Sequence, residues 1–344
     1  MTPAATPPGT SLARPPVLVL RALGLGDALT AVPALRGLRR AFPGRRLLLA
    51  AGGEPADLLR SCGVVDAVVP TRGLGGPPPG AGLGPHIAVN LHGRGPQSHR
   101  LLAAAGPRRV IAYGCPEAGV DGLRWNEAEH EVRRWTRLVD AAAVRRGMPA
   151  PCRPEDLRLH VPGALQNGLS GSGRQPYAVL HPGASSAARR WPARRWARLA
   201  AALERRGVPV VLTGGPDERA LVAGVAASAG LPASRCTAGE LPLGGLTQLV
   251  AGAALLVCGD TGVAHLGTAL ATPSVLLFGP VPPSRWGPLA DPELHTVLWH
   301  GDALGEGDPH ADRCDPALLR ITVDEVLAAA TDRLERISLG TATA

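Results

Sequence analysis

A few short segments carry residue types whose chemistry goes beyond packing. In VLVLRALGLGDALT, residues 17–30, an apolar run meets a glycine loop that ends in a single acid, Asp27. Such a loop between strand and helix usually offers backbone N–H groups and the positive helix end to an anion, which a carboxylate would repel. Asp27 therefore either caps the helix or takes part in chemistry. DTGVAH places Asp260, Thr261 and Gly262 at a second helix start, where the N–H groups of Thr261, Gly262 and Val263 can face a diphosphate; a plain N-cap is the alternative. His265 follows one turn later, where a lone histidine more often packs in the core. HPGASSAARRWP adds two hydroxyls, Ser185 and Ser186, and the cation Arg189, a set suited to phosphate oxygens and to the charge of a departing nucleoside diphosphate. Arg190 and Arg194 read as solvated charges. Glu218, in GGPDE, follows a strand as do the ribose-binding acids of dinucleotide folds, or it simply favours the first turn of a helix. NLHGRGPQSHR supplies His92, Arg94, Gln97, His99 and Arg100, a polar, cationic rim suited to an acidic or sugar ligand, about half of it expected to face solvent.

These residues must be held by a scaffold, and the chain has the length for two domains. Apolar runs alternate with amphipathic helices, the pattern of parallel sheets covered on both faces. The first half offers VLVL (17–20), RLLLAA (46–51), DAVV (66–69), HIAVNL (86–91) and RVIAY (109–113), then a helix over 130–147. The second restarts with YAVL (177–180), VPVVLT (208–213), ALLVCG (254–259) and SVLLFG (274–279). Pro192 opens a helix between its first two runs, and a capping box from Thr322 to Glu325 starts the last helix. The expected organisation is a disordered leader over 1–15, Rossmann-like domains over 16–165 and 177–338, and a linker over 166–176. The Gly/Pro-rich stretch 71–85 is expected to be mobile. Ligands of open parallel sheets bind beyond the carboxyl ends of the strands, so two such sheets face to face make a deep cleft.

Composition removes other classes. The net charge is +8, yet every one of the 36 cations is arginine and aromatic residues make up only 3%, which argues against a nucleic-acid stacking platform. Without lysine there is no Walker A loop. Arginine favours an anionic ligand or an acidic membrane surface. No apolar run approaches the roughly 18–20 residues of a membrane span, and the first residues lack the apolar core of a secretory signal. Six cysteines without a CxxC pair argue against a zinc site or disulfide framework and point to the reducing cytoplasm. No metal-cage spacing of Asp, His or Cys is present, and no cofactor is expected. A dehydrogenase reading is weak, since GLGDAL lacks the third glycine and an acid about 20 residues on.

RALGLGDALTAVPALRGLRRAFP, the three second-half clusters, NLHGRGPQSHRLLAA, HEVRRW and RITVDEVLAAA together resemble glycosyltransferase family 9, the ADP-heptose:lipopolysaccharide heptosyltransferases, over about residues 16–335. The resemblance implies GT-B architecture and a metal-independent, inverting transferase, with the acceptor on the N-terminal domain and the nucleotide-sugar, most simply ADP-linked, on the C-terminal one. It implies donor contacts from Ser185, Ser186, Arg189, Glu218, Asp260, Thr261, Gly262 and His265, with Glu218 on the ribose. Arg189 stands where family members often carry lysine, which keeps the charge but changes its geometry. Gly26, His92, Arg94 and Gln97 fall on the acceptor side. Asp27 takes the place of the family's general base, with His92 next in line. The implied acceptor is a glycolipid or glycoconjugate, such as a lipid A core at the inner membrane face. A GT-B-shaped nucleotide-sugar epimerase and a non-catalytic nucleotide-sugar binding protein are the alternatives.

Overall fold

The computed structural model describes residues 14–161, 175–301 and 307–342. Most of the expected leader and linker lies outside them. The chain builds two all-parallel, five-stranded sheets. The first contains β1 (Val17–Leu20), β2 (Leu47–Ala51), β3 (Ala67–Pro70), β4 (Ile87–Asn90) and β5 (Arg109–Ile111), in the order β3-β2-β1-β4-β5. The second contains β6 (Ala178–His181), β7 (Val210–Leu212), β8 (Leu255–Gly259), β9 (Ser274–Leu277) and β10 (His295–Leu298), in the order β10-β9-β8-β6-β7. The central strands read as unbroken apolar runs because helices cover both faces, and β1, β4, β6 and β8 are buried along their whole length. The unforeseen strand is β10, a four-residue edge strand that is only half-buried after His295 and so lacks the apolar signature of the others.

The first half's helices are α1 (Leu25–Thr30), α2 (Val32–Ala41), α3 (Gly53–Ser61), α4 (Gln97–Ala103) and α5 (Glu131–Val144). The second half's are α6 (Ala193–Arg205), α7 (Arg219–Ala229), α8 (Leu243–Ala251), α9 (Gly262–Ala269), α10 (Pro283–Trp286), α11 (Pro316–Arg320) and α12 (Val323–Ala342). The capping box forms: the Glu325 N–H donates to Thr322 Oγ1 at 3.2 Å and the Thr322 N–H to Glu325 Oε2 at 3.4 Å. From there α12 lays Val323, Val326 and Ala330 against the Trp196, Leu199 and Leu203 side of α6. The stretch 71–85 is turn-rich and anchored at Gly80, whose φ of +89° only glycine adopts easily and where a Cβ would sit 2.6 Å from Leu18 Cδ2.

Strand order reverses between β1 and β4 in the first sheet and between β6 and β8 in the second. Those reversals open the crevices in which doubly wound sheets hold ligands. The two crevices face one another because α1 packs on α9, and one apolar core runs from Val19 through Leu29, Val263 and Leu266 to Leu256.

Candidate active site

Arg21 is the first residue after β1 and is buried, 2% exposed. Its Nε donates to the Asp27 carbonyl at 2.9 Å and its Nη1 to the Leu91 carbonyl at 2.5 Å. Nη2 reaches Asp27 Oδ1 at 3.1 Å, Thr30 Oγ1 at 3.3 Å and Glu131 Oε1 at 2.9 Å. The guanidinium also lies over Trp135, 4.8 Å from the ring centre. Gly24, in extended conformation, is the N-cap of α1, and no side chain caps that start. Asp27 sits in the first turn with Oδ1 turned to Arg21, so its side chain is not the cap. Burial raises its proton affinity, Arg21 and Arg189 pull it down, Glu131 pushes it up, and the net direction is upward.

The opposing start, of α9, is built differently. Thr261 is its N-cap in extended conformation but does not cap with its side chain, whose hydroxyl is buried beside the Cys258 thiol. Arg189, on the turn Ala187–Arg189, donates through Nη1 to the Asp260 carbonyl at 3.3 Å and through Nη2 to Ser185 Oγ, while its Nε is buried without a partner. Unfilled donors beside a helix N-terminus are what an anion would complete. Burial pushes the Asp260 carboxyl up to about 6 despite Arg189. His265 is pushed down to about 4, chiefly by burial, and its neutral ring lies 5.7 Å from that of Trp286.

Two glycines let these starts approach. A Cβ on Gly26 would stand 2.8 Å from His265 Cδ2, and one on Gly262 would stand 3.0 Å from Leu25 Cβ and 3.2 Å from the Gly26 nitrogen. The second glycine of GLGDAL thus serves close packing between the halves. His130 adds a polar stitch: Nδ1 accepts from the Val132 N–H at 3.2 Å, capping α5, and Nε2 donates to the Gly287 carbonyl at 2.9 Å.

Between the starts lies a cavity of about 540 Å³. Gly26, Asp27, Ser185, Arg189, Asp260, Thr261, Gly262 and His265 all line it. Ser186 does not; its hydroxyl donates to the Pro309 carbonyl at 2.5 Å. Glu218 lies outside the lining, accepting the Gly215 N–H at 2.7 Å, with its carboxylate where a Cβ on Gly183 would go. Of the expected rim, His92 Nδ1 accepts the Ala22 N–H at 3.2 Å, and burial with Arg21 pushes its ring down to about 4. Arg94 is exposed and paired with Glu127 at 2.5 Å, and Gln97 is exposed at the start of α4. His99 is buried against Asn90 and the Tyr113 carbonyl, a core histidine rather than a rim residue. Sequence reasoning overlooked Arg21, Glu131 and Trp286. Arg21 could have been found, since it directly follows a buried strand; Glu131 lies in HEVRRW, one of the segments that carry the family resemblance, but its contact with Arg21 spans 110 residues and is not readable locally.

Comparisons with known proteins bear on the family and the fold. The model of glycosyltransferase family 9 (heptosyltransferase) matches residues 122–304. Lipopolysaccharide heptosyltransferase 1 of Pseudomonas aeruginosa is 36% identical over 125 residues, 35% of this chain and 33% of that one. The structure of E. coli ADP-heptose lps heptosyltransferase II superposes with a TM-score of 0.71 at 21% identity, covering 94% of this chain and 99% of that one. E. coli heptosyltransferase WaaC with ADP gives a TM-score of 0.67 at 19% identity, covering 92% and 99%. The alignments to the curated relatives span about a third to a half of those proteins' length. With the family model covering more than half of the sequence and both sheets in the matching arrangement, the chain belongs to glycosyltransferase family 9, the heptosyltransferase family, and has its GT-B fold.

Proposed function

We propose that the protein moves a heptose-like sugar from a nucleoside diphosphate, ADP being the first choice, to a hydroxyl of a glycolipid or glycoconjugate, with inversion. The second half holds the donor and the first half the acceptor. The observation that carries this reading is the opposition of Asp27 to Arg189 and the α9 start across one cavity. The diphosphate lies on the α9 start and Arg189, and Ser185 steadies the guanidinium. Asp27 takes the proton from the acceptor hydroxyl as its oxygen bonds to the anomeric carbon; the bond from that carbon to the diphosphate breaks, and the electron pair leaves with the nucleotide. His265 and Trp286 wall the sugar. The choice of ADP follows the WaaC complex with ADP and the name of the other structural relative, ADP-heptose lps heptosyltransferase II.

Glu218 reaches the ribose only if its carboxylate turns away from the Gly215 N–H. His92, Arg94 and Gln97 lie on the acceptor side, beyond the cavity itself. No described helix is long and apolar enough to cross a membrane, so a lipid-borne acceptor would be met by peripheral contact through the arginine-rich surface at the inner membrane face. Arginine and a helix start supply the countercharge, which makes the transfer metal-independent.

The test is nucleotide release from ADP-, GDP-, UDP- and TDP-linked sugars, with and without a lipid A-type acceptor, in strong chelator. Release from the ADP-linked sugar that depends on acceptor and survives chelator is expected. Consumption of donor without acceptor would indicate an epimerase, binding without turnover a binding protein, and loss of activity restored by magnesium would remove the metal-independent arrangement.

A further inference from the structure

We propose that Arg21 and Glu131 are positioning residues for the transfer: the buried guanidinium, held between two carboxylates, fixes Asp27 Oδ1 so that Oδ2 is left for the acceptor hydroxyl, and Glu131 keeps Arg21 from neutralising the base. The proposal rests on the reading of Asp27 as that base.

A carboxylate bonded to a guanidinium of its own loses basicity, which is costly for a group that must take a proton. Here the cation is shared. Arg21 Nη2 lies 3.1 Å from Asp27 Oδ1 and 2.9 Å from Glu131 Oε1. Glu131 is itself fixed, by Arg134 and by the Trp135 indole N–H at 2.7 Å. Two cations and two carboxylates thus form a buried neutral cluster in which Asp27 alone, with 32% of its side chain exposed, reaches the cavity.

The other groups around Asp27 do not duplicate this arrangement. Arg189 faces it from the second half, and Asp260 shares the cavity. His92, His130 and His265 all have lowered proton affinity and are uncharged near neutral pH. Charged side chains of α2 and α3 are engaged elsewhere: Arg36 and Arg40 with the 151–158 segment, Arg39 with Asp66, Glu54 with the Leu243 N–H and Arg60 with Asp57. Burial drives the upward direction at Asp27, with Arg21 opposing it and Glu131 adding to it.

The experiment is a carboxyl-carbon NMR titration of full-length protein labelled at aspartate 13Cγ, with the Asp27 signal assigned by its absence in Asp27→Asn. In Glu131→Gln, nearly the same shape without charge, the Asp27 midpoint should fall by about half a unit or more; in Arg21→Gln it should rise by at least as much. Glu131→Asp should hold the midpoint near that of the unaltered chain. ADP affinity should stay within about twofold in all three, because the diphosphate site lies in the other half. If one variant does not fold, the sign in the other decides. Midpoints unmoved in the folded variants would overturn the proposal and leave Glu131 as an anchor for α5. The base reading fails separately: it falls, and this proposal with it, if Asp27→Asn retains full transfer, and it stands if that variant loses transfer while the midpoints do not move.

Discussion

Both halves begin a helix directly after a strand that borders a switch point, and the two starts, of α1 and α9, face each other across the cavity with opposite chemistry. The α9 start has no side-chain cap and has Arg189 beside it, an arrangement suited to an anion. The α1 start carries an anion of its own, Asp27, and a buried arginine behind the helix holds it there. Under the proposed function, one backbone device serves as a receptor for negative charge in one half and as a platform for a base in the other. What separates them is a few side chains: Arg21 and Glu131 behind α1, Arg189 beside α9.

The sharpest way to break the comparison is Asp27→Asn. Asparagine keeps the size and removes the basicity, so transfer should fall by about a hundredfold to ten-thousandfold. Nucleotide binding should stay near its original value, and any shift of the unfolding midpoint reports the lost ion pair with Arg21 rather than a lost cap, because the side chain does not cap α1. Rates with the donor and acceptor of the proposed function, beside ADP titrations, check this. Near-normal turnover would reduce Asp27 to a partner of Arg21.

Asp260 offers a contrast within the second half, since it is a buried carboxylate without an arginine beneath it to match Arg21. Its pKa is raised from 3.8 to about 6, so the folded chain holds that proton more tightly than the unfolded one. Stability from this source is complete below the ordinary carboxylate value and is lost as pH rises through about 6. About two units correspond to ~3 kcal/mol at most. Asp260→Asn, which cannot ionise, should therefore be more stable than the original chain at pH 7.5, with the gap closing near pH 4. Urea unfolding at the two pH values reads it directly. An absent gap at pH 7.5 would mean that Arg189 fully supports the charge.

How much of this is legible in the sequence follows from distance along the chain. The strands of the central sheets and the two helix starts are local patterns, a run of Leu and Val followed by glycine and a polar residue, and they read correctly. So does Asp27 as an acid in an odd place. Strand order does not, because nothing local distinguishes the β3-β2-β1-β4-β5 arrangement from that of the second sheet. The role of Glu131 is hidden for the same reason: HEVRRW marks the segment, but the meaning of the acid lies in a contact with Arg21. His99 misleads in the opposite direction, since its polar surroundings suggest a rim while its ring bonds inward to the Tyr113 carbonyl. Glu218 reads equally as a ribose contact or a helix-start carboxylate, and its bond to the Gly215 N–H shows the second role without deciding the first.

Arg189→Ala tests the receptor side. Removing a charge-assisted contact should weaken ADP binding by about 1.5–3 kcal/mol, roughly ten- to 150-fold, with Arg189→Lys recovering part of it. Calorimetric titration with ADP measures both. Unchanged affinity in the alanine variant would leave the α9 start as the main anion site and move the cation's role elsewhere.

The smallest effect is expected at the stitch between the two regions. His130 does two jobs with one ring, capping α5 through Nδ1 and bridging to Gly287 in the second half through Nε2. Asparagine caps a helix about as well but is too short to span 2.9 Å hydrogen bonds on both sides, so His130→Asn removes the bridge alone. A single intramolecular hydrogen bond contributes about 0.5–1.5 kcal/mol net, and the apolar α1–α9 packing around Leu29, Val263 and Leu266 should hold the facing starts in register without it. Stability should therefore fall by about that amount, with ADP affinity little changed. Burial lowers the proton affinity of the ring, so the bond is made by neutral imidazole, and its loss should cost somewhat less at pH 6.5, where the unfolded chain takes up the proton, than at pH 8. Urea unfolding of both chains at those pH values tests the size and the direction of the pH dependence together. A loss of transfer approaching that of Asp27→Asn would instead mean that Gly287, and Trp286 beside it, must be held by the first half before the base can reach the sugar.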